Sequence, residues 1–394
     1  MKVLIFATNY LPNIGGAEIA VREITNALPH IRFDMAVPRF SRRLPRYEKI
    51  GNVAVYRFGF GTPADKWLFP VFGPLFARRA AGREYDLVWA IMASHGGIAG
   101  ARFAKKEGIP LVLTLQEGDD EAHIARLVGG SRTLYRALLR PLHRLPMRRA
   151  AAVTAISEYL KARAKEAGVP EEKIFVIPNG ADTRAFAEPP VREKVAAIRA
   201  KARMPKGGTL VLSVSRFVPK NSIDTLISAM KFLPSSFTLL LVGGGPLEKN
   251  LRGHARKEGV AERVVFAGRV PHEEIPAYMH AADVFARTPI SEGFGNVFAE
   301  AFAAGTPVVA SAVGGILDFV KDEETGLLVP PRDPRAAAEA IRRAAGDALL
   351  REKIIARARK AAAQRYGWKR IAGEMERVFS RAAAEGARAR NENI

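Results

Sequence analysis

Cysteine is absent from this 394-residue chain, and glutamine occurs only at positions 116 and 364. The first absence excludes structural disulfides and thiolate metal sites, and makes the chain indifferent to the redox state of its compartment. Depletion of both residues is a trend of heat-adapted proteins. Long apolar runs are missing as well. No segment approaches the roughly 20 residues that a helix needs to cross a bilayer, and the apolar text of Met1 to Thr8 is too short for a secretory signal and reads as a buried strand. A cytoplasmic location is therefore expected, with room for contact with the inner face of a membrane. Acidic residues are outnumbered, 40 against 61 Lys and Arg, so the formal net charge is +21. Such a field attracts polyanions, whether nucleic acid, anionic headgroups or phosphorylated substrates, and does not choose among them.

What is present is the composition of a soluble globular protein, 48% hydrophobic and 26% charged. The length exceeds one ordinary core, so two domains are expected. Residues 2–8 read as a strand that runs into Gly15-Gly16, after which Ala17 to Leu28 read as an amphipathic helix. Val53–Phe58, Leu87–Ala93, Pro110–Leu115 and Ala152–Ile156 continue as strands with helical text between them. A second series begins at Thr209–Ser215 and continues through Phe237–Val242, Val264–Phe266, Val284-Phe285 and Val308-Val309. Strand–helix alternation of this kind predicts parallel sheets covered on both faces. We expect two doubly wound α/β domains, 1–188 and 189–365, with a last helix from 366 to 394 packing back on the first. Two such sheets with their loops facing would enclose a cleft.

The most informative stretch is residues 289 to 301, Pro-Ile-Ser-Glu-Gly-Phe-Gly-Asn-Val-Phe-Ala-Glu-Ala. It reads as a strand-to-helix corner with Glu292 on the corner and Glu300 about two turns into the helix. Gly293 and Gly295 let the backbone approach a ligand closely, and the N–H groups of Phe294, Gly295 and Asn296 lie at a helix N-terminus, where they can donate to hydroxyls or an anion. Two carboxylates so spaced can bracket a polyhydroxyl ligand. Either glutamate alone would pass as a helix-dipole or solvated residue.

Together with Ala282–Ala286, Ala304–Ala310, Gly314–Asp318 and Thr325–Pro331, this corner resembles the C-terminal domain of retaining glycosyltransferases of family 4, whose signature is a Glu-(seven residues)-Glu motif. The resemblance covers nearly the whole chain, strongly over residues 205–330 and loosely before 170. It implies the GT-B architecture and sugar transfer from a nucleoside-diphosphate donor, UDP- or GDP-linked, to a hydroxyl acceptor, with no cofactor and no metal. The implied donor site contains Glu292, Gly293, the amides of Phe294, Gly295 and Asn296, and Val297 around the sugar, with Glu300 on the ribose. Gly15 and Gly16 would serve the donor phosphates or the acceptor; outside the resemblance they read as a plain turn. Arg216 matches the arginine that neutralises the leaving diphosphate. The usual pattern places a lysine five residues later, followed by glycine. Here Asn221 and Ser222 stand at those positions and Lys220 comes one residue early, so Lys220, with Asn221 beside it, is expected to take that role. Gln116 stands where many relatives carry a histidine near the donor, and cannot titrate near neutrality. Arg269 and Val270 match backbone near the nucleotide base. His95 does not match and reads as a solvated loop residue. Asp119-Asp120-Glu121 suits a hard cation by type, but reads as a solvated acidic loop.

Two basic, apolar stretches remain. Lys66 to Arg79 is dense in aromatics, and Arg126 to Arg149 interleaves arginines with leucines. Each reads equally as a core helix with a wet basic face or as a surface resting on an anionic membrane, and the second reading fits a lipid-linked or cell-envelope glycan acceptor. A sugar epimerase or phosphorylase on the same fold is the alternative activity. A nucleic-acid-binding protein is motivated by charge alone, lacks a binding motif, and is not expected.

Overall fold

The computed structural model describes residues 1–82, 84–116, 133 and 140–391. The chain forms two compact units, Met1–Asn179 with Trp368–Ile394, and Gly180–Gly367.

The first unit is built on strands β1 (Lys2–Phe6), β2 (Arg32–Pro38), β3 (Tyr47–Ile50), β4 (Val53–Phe58), β5 (Leu87–Ile91), β6 (Leu111–Leu115), β7 (Ala152–Ala155) and β8 (Ile174–Val176), in the order β3-β4-β2-β1-β5-β6-β7-β8. All neighbours are parallel except the β3–β4 hairpin at one edge, where Tyr47 pairs with Tyr56. β5, β6 and β7 are buried along their whole lengths, as strands covered by helices on both faces must be, and that is why their sequences are continuous apolar runs. β2, β3 and β8 carry no such run and are absent from the sequence reading. β2 holds Asp34 at its centre, and the buried carboxylate is tolerated because the Tyr85 hydroxyl donates to it at 2.9 Å. Helices α1 (Gly16–Ala27), α2 (Asp65–Ala80) and α3 (His95–Glu107) follow β1, β4 and β5. The last helix, Trp368–Asn391, closes the core of this unit.

The second unit holds β9 (Thr209–Val214), β10 (Phe237–Val242), β11 (Val264–Gly268), β12 (Val284–Arg287), β13 (Val308–Ser311) and β14 (Leu327–Val329). They lie in the order β11-β10-β9-β12-β13-β14, every pair parallel. This is the doubly wound order, in which strand progression reverses between β9 and β12 and leaves a crevice at their carboxyl ends.

The chain passes into the second unit at Asn179–Gly180, ahead of the join at 188–189 suggested by the sequence, and returns at Gly367–Trp368. The reason is that residues 180–201 pack on the second sheet's helices. Arg199 donates to the Ala281 carbonyl at 2.8 Å and meets Asp283 at 3.0 Å, and His280 Nε2 lies 2.8 Å from the Phe186 carbonyl. Among the described residues no helix is long and apolar enough to cross a membrane.

Candidate active site

The loops after β9 and β12 emerge side by side at the reversal of the second sheet, because Val211 and Leu212 of β9 pair with Val284 and Phe285 of β12. They carry most of the residues singled out in the sequence. The β9 loop is shaped by its neighbour after β10. Gly243 has φ of +135°, and a Cβ there would lie 1.9 Å from the Ser215 carbonyl, so only glycine fits. Phe217 N–H donates to the Gly244 carbonyl and Leu247 N–H to that of Phe217. These contacts hold Arg216 exposed at the rim and turn the chain into a single 3-10 turn, Pro219–Asn221. Lys220 is half-buried, and its carbonyl accepts from Ile290 N–H at 2.8 Å, which ties the β9 loop to the β12 loop.

Asn221 is 3% exposed, and its side chain works in two directions. Nδ2 donates to the Arg216 carbonyl at 2.6 Å, and Oδ1 accepts from Arg287 at 2.9 Å. Arg287, the last residue of β12, is 8% exposed. Its other terminal nitrogen meets Glu292 Oε2 at 2.7 Å, and its guanidinium lies over the Phe298 ring at 5.6 Å. Glu292 is further held by its own corner: Gly293 N–H donates to Oε1 at 3.1 Å, and Gly315 N–H donates to its carbonyl at 3.0 Å. Gly295 adopts φ of +85° as the residue before the helix Asn296–Ala304, and no side chain caps that N-terminus among the described residues. Phe294 is buried against Phe319 and Tyr366, with ring centres at 4.7 and 5.7 Å, so the corner is anchored from below. Val297 is half-buried on the first turn of the helix.

Glu300 faces inward at 5% exposure, and its Oε1 lies 2.9 Å from His272 Nε2, in the turn that follows β11. Arg269 is exposed beside Gly244, and Val270 is half-buried on the same loop. The second unit thus joins Asn221 and Glu292 through direct contacts with Arg287 between them, ties the Lys220 backbone to Ile290 of the β12 loop, and pairs Glu300 with His272. Sequence reasoning missed both partners. Arg287 left a signal, a charged residue at the end of an apolar strand, where a long cation is rarely buried unpaired. His272 left none.

Gly15, Gly16 and Gln116 belong to the first unit. Gly15 is the residue before α1, with extended φ of −146°, so its backbone conformation does not demand glycine. A Cβ there would meet the Glu18 carboxylate at 2.6 Å. The adjoining cavity, about 40 Å³, is lined by Thr8, Tyr10, Glu18 and Met92 among others. Burial pushes the Tyr10 phenol up to about 12. Gln116 and Asn179 exchange amide hydrogen bonds of 3.3 and 2.9 Å. His95 is not the solvated loop residue that the sequence suggests. It opens α3, stands edge-on to the Trp67 ring at 4.6 Å, and is pushed down to about 4 by burial first, then by Lys66 and His143. Asp119, Asp120 and Glu121 lie outside the described residues, as does much of 126–149.

Two doubly wound sheet units with a paired-carboxylate corner at the reversal of the second define a glycosyltransferase of the GT-B fold. Known proteins agree along the whole chain. The family model described as Glycosyltransferase Family 4 matches residues 14–185, and that described as Glycosyl transferases group 1 matches residues 194–361. A D-inositol 3-phosphate glycosyltransferase of Acidothermus cellulolyticus is 30% identical over 94% of this chain and 86% of its own length. A GDP-mannose-dependent alpha-(1-6)-phosphatidylinositol monomannoside mannosyltransferase of Mycobacterium tuberculosis is 36% identical over 55% of this chain and 61% of that protein. Among solved structures, sucrose-phosphate synthase from Thermosynechococcus elongatus superposes with a TM-score of 0.83 at 26% identity, covering 98% and 99% of the two chains. The chain belongs to glycosyltransferase family 4.

Proposed function

We propose that this enzyme moves a sugar from a nucleoside-diphosphate donor to a hydroxyl acceptor with retention at the anomeric carbon and without a metal or other cofactor. The observation that carries the reading is the meeting of the β9 loop with Glu292 through Arg287 at the sheet reversal, with Glu300 on the helix that follows the corner. Arg216 and Lys220 take the diphosphate by charge-assisted contacts. Glu292 and the 293–297 corner hold the sugar, Glu300 the ribose hydroxyls, and Arg269 with Val270 the base edge. Gly15 and Gly16 serve the donor phosphates or the acceptor, and Gln116 the donor sugar or phosphate. The acceptor oxygen bonds to the anomeric carbon as the bond to the diphosphate oxygen breaks, and the departing phosphate takes the acceptor proton. Cations at the leaving group stabilise charge where it develops.

The mannosyltransferase relative depends, by its name, on GDP-mannose, so GDP-linked sugars head the donor panel, followed by UDP-linked ones. A lipid-linked acceptor is favoured by α2. Trp67, Leu68, Val71, Phe72 and Leu75 recur at helical spacing on its exposed face, flanked by Lys66 and Arg79, with Phe69, Gly73 and Ala77 buried opposite. Such a face suits the inner surface of an anionic membrane. Thermal-shift and slow-hydrolysis screening of GDP-, UDP- and ADP-sugars should single out one donor, and chelator should leave its turnover unchanged. Glu292→Ala and Arg216→Ala should each lower turnover by about 100-fold or more. Loss of the exposed Arg216 should leave the melting temperature of the apo-protein unchanged, whereas loss of Glu292 strips the buried Arg287 guanidinium of its carboxylate and should lower it without unfolding the protein. Wild-type turnover in either variant removes that residue from the site.

A further inference from the structure

Arg287 is the buried cation of the second unit's site, and no residue role assigned above accounts for it. A guanidinium taken out of water costs several kcal/mol unless its surroundings compensate, and its position at the end of an apolar strand could have held an aliphatic side chain. One terminal nitrogen meets Asn221 Oδ1 at 2.9 Å and the other meets Glu292 Oε2 at 2.7 Å, while Nε has no hydrogen-bond partner among the described residues. The guanidinium therefore touches both loops of the donor site, and its charge stands next to Asn221, where the β9 loop departs from the family pattern by lacking the usual lysine. A lysine at 221 would reach two bonds beyond the place of the Asn221 oxygen, into the space that the guanidinium occupies. Two cations cannot share that buried space cheaply.

We infer that Arg287 and Asn221 form a swapped pair: beside the direct contacts of Arg216 and Lys220, a further fixed positive charge is delivered here from the end of β12, and the asparagine at the position usually held by a lysine is what makes room for it. Arg287 is a positioning and charge-supplying residue, and it acts on the donor diphosphate through the Asn221 loop and through the orientation of Glu292. The inference rests on the nucleoside-diphosphate reading above.

The test uses the full-length protein, with the nucleoside diphosphate identified by the donor screen and the nucleoside lacking phosphate as paired probes. Arg287→Gln keeps a hydrogen-bonding side chain but removes the charge. It should weaken diphosphate binding by about tenfold or more while nucleoside binding stays within about twofold, and Arg287→Lys should keep most of the diphosphate affinity. The double variant Asn221→Lys with Arg287→Gln should recover at least half of the lost affinity on a logarithmic scale, whereas Asn221→Lys alone should lower the melting temperature. Equal losses for diphosphate and nucleoside in Arg287→Gln overturn the inference. So does a folded double variant that binds diphosphate no better than Arg287→Gln. Wild-type protein that binds no nucleoside diphosphate overturns the donor reading itself, and the swap with it.

Discussion

Glu300 is a carboxylate with almost no access to solvent, and the histidine beside it explains how it can be there. His272 Nε2 lies 2.9 Å from Oε1, and the imidazole is held near the Phe186 ring at 6.0 Å, so the carboxylate has one favoured orientation. A fixed acceptor binds ribose hydroxyls without having to be ordered first. With Glu300 on the ribose, His272→Ala should raise KM for the nucleotide sugar about fivefold, the loss expected of one hydrogen bond, and leave kcat nearly unchanged. His272→Gln should restore most of the difference. The variant and wild type should bind a 2′,3′-dideoxy nucleotide alike, and a His272→Ala penalty of the same size on that ligand would place the histidine's effect elsewhere. The two glutamates were legible in the sequence because their spacing along one corner and helix is local. Their partners were not. Arg287 and Asn221 are 66 positions apart, and His272 and Glu300 are 28 apart, and each pair meets only because the sheet order brings their loops together.

At the scale of elements, α2 is the segment whose character the sequence left open. It contains Pro70 and Pro74 inside a 16-residue helix, which weakens any reading by propensity. Its start is set by Asp65, whose carboxylate accepts from the N–H groups of Phe60, Gly61 and Thr62 at 2.8 to 3.2 Å. Phe69 and Ala77 are core, while Trp67 and Phe72 are 51% and 52% exposed. The apolar residues thus fall on two faces, and on the exposed one Trp67 stands against the His95 ring. Phe72→Glu with Val71→Glu should abolish cosedimentation with phosphatidylglycerol-containing vesicles at moderate salt and leave turnover on a soluble acceptor unchanged. Equal sedimentation of variant and wild type would assign the stripe to something other than a membrane.

At the scale of the whole molecule, the chain ends inside the unit where it began. Trp368, Ile371, Met375, Val378, Phe379 and Ala382 lie along one face of the last helix, within the first core. Phe379 is fully buried, 5.1 Å from the Trp89 ring and 6.5 Å from that of Phe33. Phe379→Ala should destabilise the protein by about 3–5 kcal/mol, seen as a fall in the denaturation midpoint. A change below about 1 kcal/mol would show that the helix is not integral to that core.

By itself the sequence determined the class of both sheets, the strands that carry unbroken apolar runs, and the carboxylate corner. Each of these is carried by patterns a few residues long: unbroken apolar runs for strands covered on both faces, and glycines with glutamates at fixed spacing for the corner. Only the tertiary structure decided what surrounds those carboxylates, which face of α2 is exposed, that Asp34 could lie within a strand, and that residues 180–201 belong with the second sheet. Those outcomes depend on groups far apart in the chain, whose meeting is set by strand order and packing.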